Sequence, residues 1–398
     1  PDATALVNPW MAGGGEGAFF PHFCGTAVAY LLAWGLLRRC SGDDLPPAHR
    51  RFLVDALGLV AVATIADVMP LVGPNRALVT EGLRTLGNRG FPGLRELLRV
   101  SGVRGEPSAQ DIGFRVAPRL NAAGRMGRTE LALELLSTEN GARAAELAGQ
   151  LDALNLARRE LELRETQALE AAVEVQRQRG DRVVFVGRQD AAFGVLGIVA
   201  NRFLDATGLP SLVWAECGPG LARGSARGPQ GHDLVELLDG ASGLLDGYGG
   251  HARAAGFHFD PAKSGQLAAA LRASAAKLPE PEPPTLEVDM EVGPSDLSSA
   301  LVDQLARLAP FGEQNPEPVF LASGMTVASS RPIGDGSHLE MRLERNGSLA
   351  RALAWRQADR WASVAPGDRV DAVFHAGVNA FRGRRSVEWT LRDLRSAT

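Results

Sequence analysis

The sequence predicts an α/β protein built of two α/β lobes, a long helix joining them, and a small β-barrel at the C-terminal end. Three observations predict it. Short β-like runs alternate with helical patterns over residues 1 to about 140, and again from residue 182. Between them lies a charged segment of strong helix formers with no proline. After a proline-rich linker, short alternating runs with turn signals continue to the end, as in a closed or partly open barrel. A chain of 398 residues also exceeds what one core organises.

In order, residues 1–139 carry the expected strands "TALVNP" and "LVAVATIADV" and the expected helices "GTAVAYLLAWGLLRR", "NRALVTEGLRTLG" and "TELALELLS". Strands alternating with helices predict a mostly parallel sheet. Residues 140–180, "GARAAELAGQLDALNLARRELELRETQALEAAVEVQRQR" at their centre, read as a connecting helix rather than a core helix. The second lobe, 181–279, opens on "RVVFVG". It continues through the helix "GVLGIVANRFLDATG", the strand "PSLVWAE" and the segment "DLVELLDGASGLLDGYGGHARAAGFHFD". "PEPEPP" is a stiff, extended linker. Residues 285–398 supply the barrel runs, among them "TLEVDMEV", "HLEMRLERN" and "SVEWTLRDL", with one helix, "DLSSALVDQLARL".

Composition excludes several classes. An apolar fraction of 45% and a charged fraction of 22% suit a globular protein. No apolar run is long enough to span a bilayer, and no secretory signal opens the chain. Cys24, Cys40 and Cys217 form no CxxC pair, which argues against a disulfide framework or structural zinc and fits a reducing cytoplasm. The net charge of −4 gives no global attraction to nucleic acid, but from Arg331 onward twelve Arg stand against eight Asp and Glu. The chain opens at Pro1 on a strand-like run, and is expected to be truncated upstream.

Four constellations are candidates for chemistry. Asp67 is the single charge in "VAVATIADVMPLVG" and falls where the expected strand would end. Ligands bind outside the carboxyl ends of strands in open α/β sheets, so Asp67 either points into a cleft or serves as a turn or capping residue. One carboxylate does not hold a divalent ion, and no HxxE, HxH or DxD spacing accompanies it. Arg119, Asn121 and Arg125 fall in "GFRVAPRLNAAGRMG", a Pro- and Gly-punctuated segment without a regular period. They suit phosphate oxygens, or a loop held by Arg salt bridges. In "ARGSARGPQGHDL" and "GYGGHARAAGF", Ser225 and Arg227 pair with Gly250 and His251 as an anion site with close backbone approach. In the barrel, Trp355, Trp361, Phe374, Phe381 and Trp389 interleave with arginines, as a single-strand surface requires. Most of these rings belong to the core, and Phe381 in "NAFRGRR" is the candidate exposed platform.

Together "TIADVMPLVGPNRALV", "DIGFRVAPRLNAAGRMG", "GVLGIVANRF", "GSARGPQGHDLVELL", "YGGHARAAGF" and "LAPFGEQNPEPVF" resemble, in order and over nearly the whole chain, the RecJ family of single-strand-specific DNA exonucleases in the DHH phosphoesterase superfamily. The resemblance implies a DHH lobe, a long helix, a DHH-associated lobe and an OB-fold. It implies Mn2+ or Mg2+ activating water for 5′-to-3′ hydrolysis of single-stranded DNA, with Asp67 as a catalytic metal ligand. It places Arg119, Asn121 and Arg125 beside the active cleft and Ser225, Arg227 and His251 on the substrate phosphate. It also implies a cytoplasmic monomer in DNA repair and recombination, with a helicase and a single-strand-binding protein as partners. The family's other metal ligands, on Asp-x-Asp and Asp-His-His motifs, are expected upstream of this chain. Ala191 and Ala192 stand where the family usually places Trp-His, and Gly228 where Ser is common.

Two other functions fit parts of the pattern. Ala192 and the missing metal motifs favour a non-hydrolytic single-strand-binding relative. A phosphodiesterase for short oligonucleotides or cyclic dinucleotides would share the DHH scaffold, but would not need the basic, aromatic-bearing barrel.

Overall fold

A computed structural model describes residues 5–9, 20–88, 90–279, 285–381 and 384–397. Contacts divide the chain into two units. Pro1–Arg89, Gly105–Gly113 and Thr285–Thr398 form one; Gly90–Arg104 and Phe114–Pro284 form the other.

The helices through residue 178 are α1 (Gly25–Ser41), α2 (Pro47–Ala66), α3 (Gly73–Asn88), α4 (Pro92–Val100), the single turn α5 (Ala109–Asp111), α6 (Ala117–Arg125), α7 (Thr129–Ser137) and α8 (Gly141–Gln178). The first strand among the described residues is β1 (Val184–Arg188). There follow α9 (Leu196–Thr207), β2 (Ser211–Gly218), β3 (Leu221–Arg227), α10 (Leu234–Asp239), β4 (Gly247–His251), β5 (Ala254–Phe259) and α11 (Ser264–Ala275). The C-terminal part comprises β6 (Met290–Glu291), α12 (Ser299–Leu305), β7 (Phe320–Ile333), β8 (His338–Arg345), β9 (Ser348–Ala354), β10 (Arg369–Phe381) and β11 (Arg384–Ser396).

Three sequence expectations are corrected. The run "LVAVATIA" is the second half of α2, not a strand. Nothing breaks the helix between Pro47, which suits its first turn, and Ala66; Leu53, Ala56, Val60, Ala61 and Thr64 recur at helical spacing and are buried. A short apolar run without polar alternation fits a buried strand or a buried helix, and here the unbroken upstream pattern decides. The described residues of "TALVNP", 5–9, form no strand either, and Thr4 lies outside the described residues. The segment around Arg119 is helical throughout: a π-turn over Ile112–Val116 runs into α6, with Pro118 in the first turn where its missing N–H costs nothing.

Helix α8 is more than a connector. Its N-terminal cap is Asn140, whose side chain accepts from the N–H groups of Ala142 and Arg143. Ala144, Leu147, Ala148 and Leu151 are buried near its start and Leu169 and Val173 near its end. The latter two join the core that β1, β2 and α9 build.

The sheet of the second unit has the order β1-β2-β3-β5-β4. Only β1 and β2 are parallel; the other neighbours are antiparallel. Side chains alternate between its two faces. One face, with Leu212, Ala222, Ala226, Phe257 and Phe259, is covered by α10 and α11. The other, with Val184, Val186, Val213 and Ala215, is covered by α8 and α9 over β1 and β2.

The C-terminal strands close into a barrel in the order β7-β8-β9-β11-β10, with β10 pairing back onto β7 and the short β6 added to the outside of β7. Its core stacks Phe374 on Trp389 at 3.8 Å between ring centroids. The expected OB-type barrel is therefore present and the second of the two expected α/β lobes precedes it, whereas the mostly parallel sheet expected in residues 1–139 is absent from the described residues, whose regular elements there are helices.

Candidate functional site

Asp67 closes α2 and its side chain is exposed, with no hydrogen bond among the described residues. The chain leaves the helix through a Schellman turn: Val68 N–H donates to Ile65 O at 3.1 Å and Met69 N–H to Thr64 O at 3.0 Å. The left-handed position of that turn, usually glycine, is occupied by Val68 with φ 53°. A β-branched residue there stores about 1–2 kcal/mol of backbone strain, directly beside the carboxylate. Neighbouring contacts hold the strained turn. The buried Asn75 amide donates to Pro70 O at 3.1 Å and to His22 O at 2.7 Å. Leu71 is buried, and its N–H donates to Glu313 O at 2.8 Å. The segment "LAPFGEQNPEP" thus braces the turn that carries Asp67.

Among the described residues no three His, Cys, Asp or Glu side chains converge on a common point. The donor set of a divalent ion is not met by these residues, and Asp67 offers at most one ligand to it.

In the second unit, α6 sorts the three residues of "RLNAAGR". Arg119 lies on the side of Ala122 and Ala123, which are buried, and is consumed structurally: Nε donates to Asp152 Oδ1 at 2.8 Å and Nη2 to Val100 O at 3.4 Å. Asn121 and Arg125, one helical turn apart, are exposed on the other side. Arg125 Nη1 donates to Gly194 O at 3.4 Å.

Beyond β3, which α9 still partly covers, the face under α8 and α9 becomes open, and its registers can be followed across three strands. One row is Arg227, Ala254, His251; the next is Ser225, Gly256, Gly249. Directly opposed residues share a face. Arg227 and Ser225 on β3 and His251 on the edge strand β4 therefore flank a floor of glycine and alanine. Ala254, Gly256, Gly249 and His251 are all exposed. A Cβ on Gly249 would meet nothing within 4 Å, so the floor is free space. Gly250 points to the covered face. At φ 152° it lets β4 lie where a Cβ would come within 2.3 Å of Ala254 O.

The first turn of α9 borders this floor. A Cβ on Gly197 would stand 2.8 Å from Arg227 Nη2 and 3.6 Å from Ser225 Oγ. Burial, and then the charge of Arg125, push the Arg227 guanidinium below its usual pKa. A third guanidinium is Arg158 on α8, bound to Glu162 at 2.7 Å and to Asn155 at 2.8 Å. Burial chiefly, then the charges of Arg159 and Arg125, lower its pKa against the pull of Glu162. Glu162 also pairs with Arg202 at 2.8 Å. Glu162 pairs with Arg158 and Arg202 and not with Arg125 or Arg227, and such crowded guanidiniums can take up an anion. Arg158 and Glu162 escaped the sequence reading; their i, i+4 spacing was visible, but it is equally common on solvated helices.

In the barrel, Trp361, Phe374 and Trp389 are core residues. Phe381 ends β10, and its side chain lies outside the described residues. Of the described side chains in these runs, Trp355 is an exposed ring, 49% accessible and edge-on to His338 at 5.0 Å. A polar ladder crosses the outer surface. Arg331 and Arg351 both donate to the buried Glu340, and Arg351 also pairs with Glu388. Burial alone would raise the Glu340 carboxyl, but the two guanidiniums outweigh it and hold it below the usual range. A separate cavity of about 390 Å³ between α12 and β10 is lined by Val302, Phe311, Phe320 and Arg385 among others.

Comparison with known proteins fixes the family. The RecJ OB domain model matches residues 288–393. The single-stranded-DNA-specific exonuclease RecJ of Dickeya dadantii is 32% identical over 415 residues, covering 99% of this chain and 70% of that protein. The chain belongs to the RecJ family. RecJ of Thermus thermophilus is 38% identical over 371 residues, 93% of this chain and 51% of that protein. A crystal structure of Thermus RecJ with Mg2+ superposes with a TM-score of 0.80 at 35% identity, over 98% of this chain and 58% of that one; a second holds Mn2+. The chain thus spans about half the length of the Thermus RecJ it matches. Among its described residues no helix is long and apolar enough to cross a membrane, and the three cysteines are unpaired.

Proposed function

We propose that the chain is the substrate-gripping portion of a RecJ-type exonuclease that releases nucleotides from the 5′ end of single-stranded DNA. One observation carries this reading: the exposed glycine and alanine floor set in register between Ser225, Arg227 and His251. On it Arg227, with Arg125 nearby, binds the terminal phosphate as a charge-assisted pair, Ser225 adds a hydroxyl donor, and His251 closes the far side. Asn121 lies beside Arg125 as a further donor, whereas Arg119 positions α6 through Asp152. The barrel, with Trp355 exposed beside Arg356 in sequence, supplies a surface that binds single-stranded DNA by stacking and phosphate contacts.

The relatives' structures contain Mg2+ and Mn2+, and such an ion supplies a water nucleophile and charge neutralisation where it is bound. The described residues do not form its cage, so the role assigned to Asp67 is that of a single ligand held on a braced, strained turn. The reading also places the protein in the cytoplasm as a monomer beside a helicase and a single-strand-binding protein, in keeping with its unpaired cysteines.

Ala192, where the resemblance leads one to expect His, favours a second reading, a single-strand binder without hydrolysis. Hydrolysis of single-stranded DNA with Mn2+ by the full-length gene product separates the two. Asp67→Ala should abolish release of nucleotides while leaving DNA binding intact. Undiminished release by that variant would remove Asp67 from the mechanism.

A further inference from the structure

Resting on the phosphate site just proposed, we infer that Phe193 is a stacking platform for the nucleobase next to the bound terminal phosphate. Phe193 is 53% accessible and belongs to neither core of its unit. Its ring has no aromatic partner among the described residues. It opens the short 3-10 turn Phe193–Val195 that leads into α9, and that turn is pinned at both ends to the anion-binding groups. On one side, Gly194 is pressed against Arg125: a Cβ there would fall 1.9 Å from Arg125 O, and Arg125 Nη1 donates to Gly194 O. On the other, Gly197 abuts Arg227 and Ser225.

An exposed ring thus sits within one helical turn of the arginines that bind phosphate. A nucleotide places its base one sugar away from its phosphate, and every base offers a π-face, so a platform here is sequence-tolerant. The two residues before it, Ala191 and Ala192, are small and pack against the β1–β2 core. Neither competes with Phe193 for the base.

Equilibrium binding by the 398-residue chain tests the assignment, using a 5′-phosphorylated single-stranded oligodeoxynucleotide, the same strand with an abasic first nucleotide, and the same strand without the phosphate. Phe193→Ala should weaken binding of the intact strand about tenfold, whereas Phe193→Trp should retain it. The abasic strand should bind the wild type and Phe193→Ala alike. Unchanged affinity of Phe193→Ala for the intact strand overturns the assignment. So does an equal loss on intact and abasic strands, the mark of a merely structural residue. Dependence on phosphate without dependence on the base refutes the platform alone. Dependence on neither refutes the phosphate site, and the platform with it.

Discussion

Arg227 and His251 stand in one row of the sheet with only Ala254 between them. Two strand spacings put their backbones about 9.5 Å apart, a span that a phosphate group with its sugar bridges. Position 254 is therefore predicted to control access. Ala254→Leu adds an apolar side chain to an exposed strand site, where β propensity tolerates it. Thermal unfolding should be unchanged, while affinity for a 5′-phosphorylated single strand falls at least about tenfold through lost phosphate contacts. Unimpaired binding would mean that the strand does not lie on this floor.

The contact between Gly194 and Arg125 predicts a second effect. Alanine at 194 has no room, because its Cβ would meet the backbone oxygen of Arg125 rather than a movable side chain. Gly194→Ala should cost about 1–3 kcal/mol of stability and separate Arg125 from the α9 turn. Chemical denaturation measures the first effect, and the salt dependence of DNA binding the second. The slope of log affinity against log salt should flatten by about one contact.

The barrel carries a pH prediction. The Gly324 N–H donates to Asp371 Oδ1 at 2.9 Å, and Arg395 Nε donates to Oδ2 at 3.0 Å. The Gly324 bond, then Arg395, hold this carboxyl below its usual range despite burial. A depressed carboxyl stabilises the fold fully above its unfolded pKa of about 4, and the contribution fades as pH falls through the folded value. Asp371→Asn should thus be less stable than the wild type at pH 7, by about 1 kcal/mol. The gap should close in acid. A gap that stays constant with pH would show that the ionised form does not matter.

How much of this was legible in the sequence depended on the period of each segment. The barrel and the second sheet alternate between polar and apolar residues, and their strands were readable. "LVAVATIA" has no alternation, so helix and strand were not distinguishable by pattern, and α2 was missed. Glycine and proline in "APRLNAAGR" looked like loop chemistry, yet Pro118 sits in the first turn, where it favours the helix. Once that segment is helical, the separation of Arg119 from Asn121 and Arg125 follows. Ser225, Arg227 and His251 were legible as residue types beside glycines. Their shared face was not, because register is a long-range property of the pairing. That Trp355 is exposed while Trp361, Phe374 and Trp389 are buried was not legible, since burial of individual rings in a barrel depends on closure rather than on local sequence.

The most direct test of the central claim is a comparison of the affinities of the 398-residue chain for 5′-phosphorylated single-stranded, 5′-hydroxyl single-stranded and fully duplex DNA, with wild-type protein and Arg227→Gln. The phosphorylated single strand should bind tightest, and Arg227→Gln should erase its advantage over the 5′-hydroxyl strand. Equal affinity for all three DNAs, or an advantage that survives Arg227→Gln, would contradict the account.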